Sequence, residues 1–132
     1  LQNNTIKINQ NLIIRTDWEE DLKEKAEILF NDKTIDGIFA LDENDSVAAL
    51  RISLKKGFKV PENLSIIGFA DGILASRRLS PSLTTVSQHG PEIGEAAAEL
   101  LIERLEKGEL EYPYKTTVIK TELRLRESTR TL

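Results

Sequence analysis

Two aspartates stand where a small molecule could be held. Asp42 directly follows the apolar run Ile35–Leu41, and Asp71 comes two residues after the run Leu64–Phe69. If these runs are parallel strands, both carboxylates reach the crevice outside the strand ends, where open α/β sheets take their ligands. There they could accept hydrogen bonds from ligand hydroxyls. Each could instead coordinate a hard cation such as Mg²⁺. The cluster Asp42-Glu43-Asn44-Asp45 equally reads as a solvated helix start with Asn44 or Asp45 as its N-cap. Trp18 is the only tryptophan and falls one residue after a strand-to-helix turn on the same edge. Its indole could stack on a sugar ring or a base, or belong to the core at the head of an amphipathic helix.

Other chemistries find no support in the sequence. His89 is the only histidine and there is no cysteine. Without a second metal-binding side chain or a serine in a Gly-x-Ser-x-Gly turn, His89 reads as a solvated or capping residue. Neither Gly-x-Gly-x-x-Gly nor a Walker-type loop occurs, so no phosphate cradle is indicated. We expect no catalytic residue, no metal and no cofactor. The net charge of -4 and the short basic runs Lys55-Lys56 and Arg77-Arg78 exclude a nucleic-acid footprint on this segment. No apolar run approaches the ~20 residues of a membrane span, so no membrane partner is expected.

Positioning these groups falls to about one domain of 132 residues, 39% of them hydrophobic. Leu12-Ile13-Ile14 reads as a short buried strand, and Asp17 as the N-cap of a helix running to about Asn31 with Trp18, Leu22, Ala26, Leu29 and Phe30 on one face. A strand over Ile35–Leu41 precedes a helix over 45–56. In that helix Val47, Leu50 and Leu54 form one stripe while Ala48, Ala49 and Ile52 form a second, so it needs two partners. Gly57 is placed as its C′ residue. A strand over Leu64–Phe69, an irregular stretch from Ala70 to Pro81 and a short strand over Leu83–Val86 follow. Gly90-Pro91-Glu92 opens a helix ending near Gly108, lined on one side by Ile93, Ala97, Leu100, Leu101 and Leu105. The stretch from Thr116 to Leu125 is β-rich, Glu122–Arg126 alternates as a half-exposed strand, and Ser128-Thr129-Arg130 reads as a frayed end. The alternation predicts an α/β fold: a parallel sheet flanked by helices.

The segments Asp36–Ala40, Ala48–Leu50, Lys56–Phe69 and Pro81–Gln88, continuing through Ile93–Ala97 to Leu125–Thr129, resemble the lactose/galactose-repressor family of bacterial transcription regulators. The resemblance covers essentially the whole chain, as the carboxyl-terminal half of that family's effector-binding region. It implies a type I periplasmic-binding-protein-like fold, in which two α/β lobes close on a small molecule and closure changes DNA affinity. The family's helix-turn-helix, hinge helix and first sensor subdomain have no counterpart here, so operator DNA would be bound only through that missing amino-terminal part.

Position by position, the resemblance makes Trp18 the aromatic platform for the effector and Asp42 the strand-end residue that hydrogen-bonds it. Glu43 stands where the family more often has aspartate. Asp71 follows Ala70, which stands where many sugar-binding members place an acidic ligand residue. Gln88, His89 and Gly90 resemble a crossover to the other lobe. Residues 1–88 would form the carboxyl-terminal lobe, 89–120 the crossover and a helix packed on the missing lobe, and 121–132 a return strand and tail. Dimerisation in the family uses this lobe, which implies a homodimer patch of Val47, Arg51, Leu54, Leu74 and Leu79. The function implied is that of a cytoplasmic, effector-sensing and dimerising part of a transcription regulator, without catalysis. The rivals are an exported sugar-binding protein of a transporter and a Mg²⁺-dependent phosphoryl-transfer enzyme using Asp42, Glu43 and Asp45.

Overall fold

The computed structural model describes residues 7–15, 19–69, 71–72, 78–107 and 114–131. Its elements are a 3₁₀ turn at Gln10–Leu12, α1 (Glu19–Leu29), β1 (Gly37–Ala40), α2 (Glu43–Lys55), β2 (Ser65–Phe69), β3 (Thr84–Ser87), α3 (Gly90–Lys107) and β4 (Glu122–Arg124). The four strands form one sheet in the order β1-β2-β3-β4. The first three run parallel, as the strand–helix alternation predicts. The return strand β4 is antiparallel to β3, with Thr85 opposite Arg124 and Ser87 opposite Glu122, so the sheet is mixed.

Burial alternates along β2, where Ile66 and Gly68 face the helices. α2 lies on β1 and β2, and α1 packs on α2. Between them Phe30, Leu50, Phe58, Leu64, Ile66 and Leu83 form the core, and Phe30 meets Phe58 edge to face at 5.7 Å. α2 ends as its glycine predicts. Gly57 takes a positive φ of 82°, its N–H donates to the Leu54 carbonyl, and the Phe58 N–H donates to the Ser53 carbonyl, the paired bonds of a Schellman stop.

Several expectations are corrected. Leu12-Ile13-Ile14 is no strand: Asn9 caps a 3₁₀ turn there, its side chain accepting from the Asn11 N–H, and Leu12 and Ile13 stay exposed. A three-residue apolar run forms a strand only if a neighbour completes its ladder, and here Asn9 offers a local alternative. The helix expected from Asp17 starts, among the described residues, at Glu19, since 16–18 lie outside them. α2 begins at Glu43, two residues early, because Asp42 rather than Asn44 or Asp45 is its N-cap. Leu54 is exposed, while Ser46 and Ser53 join the expected Val47, Leu50 and Ile52 as the buried residues of the helix. These small serines let the helix sit close to the sheet, each satisfying its hydroxyl on the carbonyl three residues earlier at 2.8 Å. From 116 to 125 only Glu122–Arg124 pairs as strand.

The end expected to fray is instead locked. Ser128 is fully buried. Its carbonyl accepts from the Ile66 N–H at 2.8 Å and its N–H donates to the Ser82 carbonyl at 3.0 Å. Its hydroxyl accepts from the Thr84 N–H at 2.8 Å and donates to the Ile66 carbonyl at 2.6 Å. α3 has no buried residue, and Ile93, Leu101, Ile102 and Leu105 are exposed.

A Cβ at Gly68 would lie 2.9 Å from Ser46 Cβ and Oγ. Gly68→Ala is therefore expected to cost about 1–3 kcal/mol by overpacking, and the added change Ser46→Gly to recover part of that loss. Urea unfolding of the three proteins measures both.

Candidate functional site

β1 and β2 are parallel and in register, Ala40 beside Gly68, so their carboxyl ends finish side by side. Asp42 and Glu43 leave the first strand, and Asp71 and Gly72 follow the second. The two segments touch, for a Cβ at Gly72 would collide with the Glu43 carboxylate. The sheet thus brings three predicted residues, Asp42, Glu43 and Asp71, to one edge. Trp18 lies outside the described residues, as does Ala70.

Each acid is held differently. Asp42 Oδ1 accepts from the Asp45 N–H at 2.7 Å, satisfying one of the orphan donors at the start of α2. The side chain is otherwise turned to solvent. Burial first, then the charge of Asp42, pushes the Asp45 carboxyl above its ordinary range. Asp71 is the most enclosed, its side chain only 7% exposed. It accepts from the Thr85 hydroxyl at 2.7 Å, from Arg126 at 2.6 Å and from Arg124. Burial pushes its carboxyl up, but the bonds from Thr85 and Arg126, the Arg126 charge and the Arg124 bond outweigh this and leave it below the usual range. Arg126 also reaches the Leu83 carbonyl at 2.6 Å and the Thr85 hydroxyl at 2.8 Å. Asp71 therefore serves first as the anchor of the strand ends, with protein donors on both oxygens.

Arg124 and Arg126 were not singled out from the sequence. The signal was present, because two arginines two apart in an alternating segment share one strand face and need an acid opposite them. Among the described residues no group of three or more histidine, cysteine or acidic side chains could hold a metal ion, which leaves the Mg²⁺ rival without a described site.

The crossover residues lie at the adjoining strand end. Gln88 is exposed, and His89, with φ 54°, precedes α3 and accepts the Ile93 N–H on its carbonyl at 3.0 Å. Gly90 starts the helix. Of the residues assigned to a dimer patch, Val47 is buried in the chain's own core. Leu79 is half-buried against that core, while Arg51 and Leu54 face outward. Leu74 lies outside the described residues.

A family model described as periplasmic binding protein-like domain matches residues 2–129. The chain belongs to this family. The relatives of this periplasmic binding protein-like domain bear out the resemblance to the lactose/galactose repressors. The ribose operon repressor of Halalkalibacterium halodurans is 37% identical over 123 residues, covering 91% of this chain and 36% of the repressor. The HTH-type transcriptional repressor PurR of Histophilus somni is 35% identical over 131 residues, covering 92% of this chain and 38% of PurR. Among solved structures, the regulator CelR in complex with cellobiose matches with a TM-score of 0.82 and 27% identity over 96% of this chain and 38% of CelR. A LacI family regulator from Arthrobacter sp. FB24 in complex with lactose matches with a TM-score of 0.75 and 34% identity, covering 89% of this chain and 44% of its own. The domain spans little more than a third of the length of the curated relatives it matches.

Asp71 ionises more readily in the folded than in the unfolded chain, so its contribution is present above the ordinary carboxylate range and is lost as pH falls through the folded value. Asp71→Asn is expected to cost about 2 kcal/mol or more near neutrality, by leaving buried donors and the Arg126 charge unpaired. The loss shrinks at a pH below the folded value of Asp71, where the wild-type carboxyl is protonated too. Urea titrations at the two pH values compare the variants.

Proposed function

We propose that this chain is the effector-sensing part of a bacterial transcription regulator of the LacI family, and that it takes a small sugar at the carboxyl ends of β1 and β2. The observation that carries this is the convergence of Asp42, Glu43 and Asp71 on one edge of a parallel sheet, in a chain whose structural relatives include regulators solved with cellobiose and with lactose. Asp42 accepts hydrogen bonds from sugar hydroxyls on the oxygen that does not cap α2. Glu43 lines the same rim against Gly72. Asp71 holds the rim in place through Arg124, Arg126 and Thr85 rather than meeting the sugar with a free oxygen. Trp18 supplies the stacking face.

No step of chemistry is required of these groups, and binding alone would change the relation between two lobes. α3, with its exposed apolar side, packs on the first lobe, and Gln88, His89 and Gly90 form the crossover that leads to it. DNA is bound elsewhere in the regulator, which works in the cytoplasm as a homodimer. The outward Arg51 and Leu54 of α2, together with Leu79, contribute to that contact. Among the described residues no helix is long and apolar enough to cross a membrane.

The lone tryptophan makes a direct test possible. Titrating cellobiose, lactose and ribose into the protein while following tryptophan fluorescence and melting temperature should identify a sugar that shifts both. Asp42→Ala is expected to weaken that sugar about ten-fold or more, consistent with losing charge-assisted hydrogen bonds, and Trp18→Ala to abolish the melting shift. A response of equal size in Asp42→Ala places the sugar elsewhere.

A further inference from the structure

His89 stands between the two places where the chain leaves and re-enters the sheet. It follows β3 in the left-handed region, φ 54°, which non-glycine residues other than asparagine, aspartate and histidine seldom enter. That conformation turns its ring between two acids on different elements. Nδ1 lies 3.3 Å from Glu92 in the first turn of α3. Nε2 lies 3.9 Å from Glu122 in β4. Glu122 is itself 3.6 Å from the Arg124 Nε, and Arg124 pairs with Asp71, whose other oxygen takes Arg126 at 2.6 Å. Glu92 of α3 and Glu122 of β4 face the imidazole, and the linked groups alternate in sign from Glu122 through Arg124 and Asp71 to Arg126.

We propose that His89 is a positioning residue whose protonated imidazole ties the outgoing crossover Gln88–Gly90 to the returning strand β4 through Glu92 and Glu122, and through Arg124 to the Asp71 rim. A neutral imidazole has one N–H and can serve only one acid as donor, whereas the charged ring has an N–H for each. The tie is therefore complete with the ring protonated and loosens when that proton is lost. The consequence for sugar binding rests on the function proposed above; the tie itself does not. With the outgoing crossover and β4 held to the rim, the lobe presents its sugar site and its outgoing helix as one unit.

Hydrogen exchange on the 132-residue protein tests the tie without any ligand. Rates for amides of residues 92–94 and 122–124, corrected for intrinsic exchange, are compared at pH 5.5 and pH 8.0. The wild type should be about three-fold better protected at the lower pH, the effect of one modest charge pair. His89→Asn keeps a residue suited to the left-handed backbone but cannot take the proton, and it should flatten the profile. Glu122→Gln should flatten it at 122–124 while leaving 92–94 responsive through Glu92. An unchanged profile in His89→Asn and Glu122→Gln overturns the tie. In a second arm, cellobiose, lactose and ribose are titrated at both pH values. A sugar whose affinity follows the exchange profile in the wild type but not in His89→Asn supports the coupling, and one whose affinity ignores pH in both overturns it. If none of the three binds, the effector reading fails while the exchange result decides the tie.

Discussion

A single buried serine fixes the relation of the two central strands. Ser128 gives and takes four hydrogen bonds, two with Ile66 at the head of β2, one with Thr84 at the head of β3 and one with Ser82 before it. Each replaces a bond that buried backbone would otherwise lack, and an orphaned buried donor or acceptor costs about 1–3 kcal/mol. Past the end of β2, Asp71 gathers Thr85, Arg124 and Arg126. One carboxyl-terminal segment thus supplies both fastenings. The acidic edge depends on side chains more than fifty positions later in the chain.

Between those fastenings the approach of α2 is set by what is absent. Ser46 and Ser53 stand where larger residues would hold the helix away, and Gly68 leaves no side chain between helix and strand. Asp42 caps the start of α2 with one oxygen, so its orientation at the strand end follows from backbone demand at a helix start. A residue suited to receive a ligand is in this way oriented by a structural duty it performs with its other oxygen.

Much of the architecture was legible because it is local. The stop at Gly57 needs only a residue that accepts positive φ, the order of strands and helices needs only periodicity, and the shared edge of Asp42 and Asp71 follows once the strands are parallel. What escaped reading has its partners far away. Nothing in the neighbourhood of Ser128 announces that it will be buried, and Arg124 and Arg126 look like the solvated side of a strand until Asp71 is placed against them. Leu12-Ile13-Ile14 failed for the opposite reason: its apolar pattern suits a strand, but a ladder belongs to two segments. Leu54 failed because a hydrophobicity stripe takes no account of serines admitted for their size.

β3 and β4 are neighbours in the sheet, yet the chain between them travels out through α3 and back. Loop-closure entropy grows only logarithmically, about 0.6 kcal/mol for each doubling of length. The sheet is accordingly almost indifferent to the length and makeup of this excursion, provided that its two feet stay where they are. Evolution can rewrite the outer helix to suit a changed neighbour while the frame that carries the acids is inherited intact.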